Sequence, residues 1–453
     1  MPIVAQNNAQ SEPFLKLIDQ LEKTAPFTAV SEELFNALGH EITLPDGGKS
    51  VSLIADEGPG GAFDPRDIEK IPAESLGYKA KWVVIRYPYY GLDWDITGLR
   101  LESLHPKAKK LPWLVIINGG SANVYEFFTD PLNRPGLGQY LAQMINVLIV
   151  TIPGNFKYGG WTLPVTQRVP QYLLDRELQP DEIKVRNAIY TNRMEMEGLK
   201  RLVIQETSGD ILIVGHSTSG ELAFLAMGEP ELAERLKGRF LGWGSGGPSN
   251  LRRAWEEQAR PTNTGPAEKS KFPPLWELRI RDAAGYVADG YIGPLNPCAK
   301  AGMESLAVAA RWLSLVERNR PNIKQALQDL EHRGMMELQP ELEAEINRVL
   351  MKSSLDVDPK DVCKDLFATS KAPNTGYDRM VWIVGKWDQK HWNKSTPEQA
   401  QELAIANQFR VRNPGAAIRV LVFDLPLTHY GHVEKPRGVA AGLISAVHWL
   451  VRS

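Results

Sequence analysis

Residues 211–227 read ILIVGHSTSGELAFLAM: an apolar run, a cluster of small and hydroxyl residues, then a helical pattern. The apolar run has the length and β-branched content of a buried strand. Within Gly215-His216-Ser217-Thr218-Ser219-Gly220, small residues stand two before and two after Ser217. A serine held on a sharp strand-to-helix turn requires that, because the backbone there crowds its neighbours. The turn projects the Ser217 hydroxyl above the sheet and aims the Thr218 N–H at a developing oxyanion beside the helix N-terminus. Gly-x-Ser also ends at Ser50, Ser121 and Ser249, but only Ser217 has the strand–turn–helix context. Ser219 replaces the glycine usual at that position and is still small. The bland alternative is a Ser/Thr-rich N-cap opening an ordinary helix.

Working outward, similar runs recur on both sides. Lys81–Pro88 (KWVVIRYP) and Ile96–Ser103 (ITGLRLES) are close enough to pair antiparallel. Leu111–Asn118, Asn146–Pro153, Asp210–Gly215 and Phe240–Gly244 follow, with helical patterns around Leu137–Met144, Arg186–Glu206 and Ser219–Leu236. Arg379–Gly385 and Ala417–Phe423 come much later, and a helical pattern over Val439–Val451 closes the chain. Strand–helix alternation of this kind predicts an α/β fold: an eight-stranded, mostly parallel sheet with helices on both faces. Between the sixth and seventh runs lies a Pro/Gly-rich stretch followed by helical patterns at Met303–Glu317, Ile323–His332, Pro340–Met351 and Pro359–Thr369. The expected organisation is an N-terminal extension (1–79), a core (80–249 and 379–453) and a helical insertion (250–378). The extension shows two short helical patterns, Phe14–Lys23 and Ser31–Leu38, and a Gly-Pro-rich stretch at 58–63.

A serine hydroxyl is a poor nucleophile until a histidine takes its proton and a carboxylate orients that histidine. On such a sheet the chain order is Ser, then Asp or Glu, then His. The seventh run ends VGKWDQKHW, which puts Asp388 in the turn after it; the sixth ends GWGSGGPSN, without a carboxylate. Asp388 is therefore the expected acid and Asp424 the runner-up. The eighth run leads into LVFDLPLTHYGHVEKP. His432 follows a glycine and precedes the final helix, so it is the expected base; His429, three residues earlier, is the runner-up. His391 stands on the wrong side of the last strand for the base. The oxyanion hole needs a second N–H from the loop after the third run, IINGGSANVYEF, where Gly119 lets the backbone approach closely and Gly120 or Ser121 can donate.

Taken together, NGG at 118–120, GHSTSG at 215–220, VGKWD at 384–388 and HYGHVEKP at 429–436 resemble the α/β-hydrolase superfamily. The resemblance covers roughly 80–250 and 378–453. It implies a covalent acyl-enzyme route through Ser217, and a helical cap roofing the pocket where the insertion falls. Members with an aspartate nucleophile, such as epoxide hydrolases and haloalkane dehalogenases, are set aside by the serine. Prolyl-peptidase-like members carry a His-Gly-Gly-Pro-Gly oxyanion loop, from which Asn118-Gly119-Gly120-Ser121 departs. The expected activity is carboxylic-ester hydrolysis (esterase or lactonase). Alternatives are an amidase or peptidase, a lyase or acyl transferase on the same triad, and a non-catalytic binder.

Composition narrows the partners. The 453 residues would make about three domains at roughly 150 each, but one interrupted sheet accounts for them. With 52 Lys plus Arg against 54 Asp plus Glu, net −2, there is no electrostatic footprint for nucleic acid or an anionic membrane. The two cysteines, Cys298 and Cys363, are too few for a disulfide framework or a cysteine-rich metal site. No metal or cofactor is called for, and the opening MPIVAQNNAQSEPF lacks a basic n-region and an apolar h-region. A cytoplasmic location and a small-molecule substrate are expected. Among the 12 tryptophans, Trp161, Trp243, Trp387 and Trp392 fall near the expected site. They would wall a pocket for an apolar or aromatic substrate, or pack the insertion against the core.

Overall fold

The computed structural model describes residues 39–43, 49–53, 72–117, 127–128, 135–153, 185–186, 188–216, 219–244, 343–344, 346–366, 376–385, 413–423, 431–434 and 436–451. Ten strands make one sheet: β1 (Gly39–Thr43), β2 (Lys49–Leu53), β3 (Tyr78–Tyr89), β4 (Leu92–Ser103), β5 (Trp113–Ile117), β6 (Val147–Thr151), β7 (Ile211–His216), β8 (Arg239–Trp243), β9 (Arg379–Gly385) and β10 (Ala417–Phe423). Their order is β1-β2-β10-β9-β8-β7-β5-β6-β4-β3. β5 to β10 are mutually parallel, and β4 closes one side antiparallel to β6. All eight strands expected from the sequence are present. The central ones are buried along their whole length, which is why they read as unbroken apolar runs.

β1 and β2 are additional. They come from the segment read as an extension, and β2 pairs parallel with β10 at the sheet edge. Five-residue strands such as GHEIT and KSVSL carry little apolar signal, but the LPDGG between them is turn chemistry of the kind that separates paired strands. The helical patterns at 14–23 and 31–38 lie outside the described residues.

Besides a single helical turn at Ala73–Leu76, the helices are α1 (Leu137–Leu141), α2 (Asn192–Glu206), α3 (Gly220–Ala226), α4 (Pro230–Leu236), α5 (Pro359–Leu366), α6 (Gly431–Glu434) and α7 (Pro436–Val451). One apolar cluster joins α2, α3 and α4 to one face of the sheet; the other joins α1 and α7 to the opposite face. The predicted helix over 186–206 is broken because Thr191 turns extended and caps α2, its hydroxyl accepting from the Met194 N–H at 3.2 Å. The one over 219–236 is broken at Gly228-Glu229, and Pro230 opens α4 where its missing N–H costs nothing. Gly198 in α2 lies where an added Cβ would meet the Tyr87 hydroxyl at 2.6 Å, so the helix sits tightly on β3.

Of the insertion, 250–342, 345 and 367–375 lie outside the described residues. The helical residues at 343–344 and 346–350 and α5 bury Ile346, Leu350, Val362 and Cys363 in the same cluster as Leu199 and Val203 of α2. Tyr89 and Tyr90, at the β3–β4 tip, both donate to the Asp365 carboxylate of α5, Tyr89 at 2.7 Å. Burial and that carboxylate push both phenols upward in pKa. Tyr90 and Gly91 form the two-residue hairpin loop with positive φ of 51° and 71°, as a primed turn demands.

Candidate active site

Parallel strands deliver their following loops to one edge of the sheet. In register, Ile117 stands beside Gly215, His216 beside Trp243, Trp243 beside Ile383, and Gly385 beside Phe423. The segments leaving these ends carry, in order, Gly120 and Ser121, Ser217 and Thr218, Asp388, and His429 with His432. Four loops proposed from sequence to act together therefore depart from one edge of the sheet, after β5, β7, β9 and β10, with β8 between the second and third.

The closure after β7 is very tight. A Cβ built on Gly215 would lie 1.9 Å from the Ser219 carbonyl oxygen and 2.5 Å from the Gly220 nitrogen. The chain leaves the strand at His216, is already helical at Ser219 (φ −73°, ψ −3°), and folds its backbone onto the strand's penultimate residue. Only glycine fits there, for lack of a Cβ rather than for φ. The strand order, with β3, β4 and β6 successively antiparallel, β5 to β10 parallel and one crossing between β5 and β6, and this turn are both of one kind. The chain has an α/β-hydrolase fold.

No family model and no curated protein matches the sequence. Among solved structures, the chain is similar to a bacterial membrane phospholipase A described as a virulence factor, at 14% identity and TM-score 0.41 over 83% of this chain and 88% of that one. It is likewise similar to a hydrolase from Pseudomonas aeruginosa, at 14% identity and TM-score 0.41, covering 80% and 97%. A third is a serine hydrolase from a Cycloclasticus species, at 13% identity and TM-score 0.39, covering 81% and 97%.

Of the residues expected at the site, His432 and Trp243 are described; Ser217, Thr218, Gly120, Ser121, Asp388, Asp424, His391, His429, Trp161, Trp387 and Trp392 lie outside the described residues. His432, on α6, is 1% exposed, and Trp243, at the end of β8, is 3% exposed. The two belong to one buried cluster. The His432 ring stacks on Phe127 with centroids 4.6 Å apart and an interplanar angle of 19°. Trp243 meets it nearly perpendicular at 5.0 Å, and His216 at 4.7 Å and 69°. His216 and Trp243 are themselves 4.9 Å apart. Trp243 is thus a wall of this dry box.

Phe127 and His216 were not read from sequence as parts of an assembly. Phe127 closes the stretch proposed for the oxyanion hole, and the Phe-Phe pair at 127–128 is an apolar signal at the end of a polar loop. Among the described residues no group of three or more His, Cys, Asp or Glu is placed to hold a metal, and no helix is long and apolar enough to cross a membrane. The buried Cys363 thiol is pushed up to about 12 by desolvation, with Glu343 adding to it. It stays protonated and is no rival nucleophile.

Proposed function

We propose that this protein is a serine hydrolase cleaving carboxylic esters of small to medium apolar or aromatic acids or alcohols. The observation that supports the reading is the closure at Gly215, where the backbone of Ser219 leaves no room for a side chain, as the turn of a nucleophilic serine requires, at the edge where the other three loops depart. Ser217 Oγ attacks the ester carbonyl carbon while its proton passes to a histidine of the 429–432 segment. Asp388 holds that imidazole in the tautomer able to accept. The carbonyl oxygen becomes an oxyanion and accepts from the Thr218 N–H and from the N–H of Gly120 or Ser121. Collapse expels the alcohol, which takes the proton from the imidazolium and leaves an acyl group on Ser217. Water repeats the sequence and releases the acid. The near-neutral chain and its aromatic residues favour recognition by shape and apolar contact.

The test is labelling of Ser217 by a fluorophosphonate together with turnover of p-nitrophenyl esters. One probe per chain and parallel loss of turnover are expected; neither labelling nor turnover would sink the reading. In ¹⁸O-water the acid product gains one label, whereas a lyase or acyl transferase yields product without it.

A further inference from the structure

An open cavity at the amino ends of the parallel strands has a charge balance that its own ion pairs do not settle. It measures about 530 Å³, within the range of small-molecule sites. Trp113, Asp210 and Arg239 line it, and they stand at the starts of β5, β7 and β8. The proposed catalytic loops depart from the opposite ends of these strands.

Arg100, Lys109, Lys110 and Arg239 face Glu102 and Asp210 across the cavity, so cations outnumber carboxylates. Both carboxylates are already engaged. Glu102 pairs with Arg100 at 3.0 Å, and Asp210 with Lys237 at 2.7 Å and Arg239 at 3.4 Å. Lys109 and Lys110 are exposed and make no ion pair with a described residue. Two ammonium groups are therefore left over, side by side.

The walls around them are held by the backbone. The 3-10 turn Ala108–Lys110 rests on a buried Ala108, and the Lys110 N–H donates to the Lys107 carbonyl at 2.9 Å. Arg100 is fixed by its Nε, which donates to the Glu206 carbonyl at 3.0 Å, and by the Trp113 ring 5.0 Å beneath it. Arg235 Nε donates to the Gly209 carbonyl at 2.6 Å. Asn146 accepts the Ser103 N–H through Oδ1 at 3.0 Å, which leaves its NH₂ as a neutral donor. Leu111, Pro112 and Val451 give one side of the lining an apolar character.

We propose that this cavity binds a phosphate monoester, with Lys109 and Lys110 on the phosphate oxygens and the Leu111, Pro112 and Val451 side against its organic part. Lysines act as point charges that meet a tetrahedral dianion from any direction, whereas planar carboxylates are best held by a guanidinium fork. Both arginines of the lining are already committed to protein carboxylates. A phosphate dianion cancels the two spare charges, and a bare phosphate would leave the apolar side unused. This site and the serine-hydrolase reading do not depend on each other.

Titration calorimetry with phenylphosphonate, as its dianion at pH 8, tests the site. Wild type should bind one equivalent with a Kd below about 1 mM in roughly 20 mM NaCl, and several-fold more weakly in roughly 300 mM. The double variant Lys109→Gln/Lys110→Gln should bind at least about tenfold more weakly with an unchanged melting temperature, whereas Lys364→Gln, on α5 outside the lining, should bind as wild type does. Asp210→Asn removes a carboxylate from the lining and should tighten binding about two- to fivefold. Inorganic phosphate, which lacks the ring, and benzoate, which carries one charge fewer, should each bind at least about fivefold more weakly. A wild type that does not bind phenylphosphonate overturns the proposal, and so does a folded double variant that binds it undiminished. Benzoate or inorganic phosphate binding as tightly as phenylphosphonate overturns the assignment to a phosphate monoester. Should the double variant fail to melt cooperatively, Asp210→Asn decides: tighter binding supports the site, and equal or weaker binding overturns it.

Discussion

The two ends of the parallel strands are built from different chemistry. At the amino ends, Asp210 before β7 meets Lys237 at 2.7 Å and Arg239 at 3.4 Å. Arg100 lies 5.0 Å over the ring of Trp113 and donates to the Glu206 carbonyl at 3.0 Å. Arg100, Asp210 and Arg239 line an open cavity of about 530 Å³ that also takes in Lys109 and Lys110. At the carboxyl ends, the same strands deliver Phe127, His216, Trp243 and His432 into a dry cluster. Where water screens the charges, an ion pair contributes little and tolerates movement. Where water is excluded, ring packing and proton position are both sensitive to small shifts. The sheet thus keeps a wet, forgiving end and a dry, exacting one, and the proposed chemistry belongs to the second.

The largest expected effect is at the dry end. Ser217→Ala should lower ester turnover on the order of 10⁴- to 10⁶-fold without moving the melting temperature. Wild-type turnover in that variant would end the contrast, since the carboxyl edge would then hold no nucleophile. Next comes a pair of alanines on the two ends of one strand. Gly215→Ala forces a methyl into the Ser219 backbone and should cost about 3 kcal/mol or more, with loss of fluorophosphonate labelling. Gly209→Ala, at φ +66° with open space around it, should cost only about 1–2 kcal/mol and leave labelling intact. Equal losses in denaturant melts would show that the closure at Gly215 is not as tight as described.

A pH effect of intermediate size is expected from α7. Desolvation by burial, with Lys107 nearby, lowers the His448 pKa from 6.5 to about 4. The unfolded chain then binds the extra proton first, so the stability contributed by neutral His448 is complete above about pH 6.5. It is lost as pH falls toward 4, by at most about 3 kcal/mol. His448→Leu should flatten urea-derived stability across that window; an unchanged slope would rule His448 out as its source. The smallest effect belongs to the wet end. Asp210→Asn should cost under about 1 kcal/mol, less in high salt, and leave ester turnover untouched.

The fold was legible wherever burial imposes an unbroken apolar run: LPWLVII, NVLIVTIP, DILIVG and RMVWIVG each became a parallel strand. β1 and β2 were not, since short edge strands with alternating polar residues leave a faint pattern. Near the proposed site, the need for glycine at position 215 was legible, because the backbone of Ser219 leaves no room there for a Cβ. The enclosure of His432 by Phe127, His216 and Trp243 was not, because neighbouring residues say nothing of which distant rings will surround it.

The sequence by itself determined the eight core strands, their alternation with helices and the need for a residue without a side chain at position 215. These follow from local rules: burial period, turn sterics and capping. Only the tertiary structure decided that the N-terminal segment adds two strands beside β10, and that Phe127, His216, Trp243 and His432 form one box. Such contacts depend on which strands neighbour each other and in what register. That choice is made by packing across the whole sheet, where residues far apart in the chain come within a ring's width.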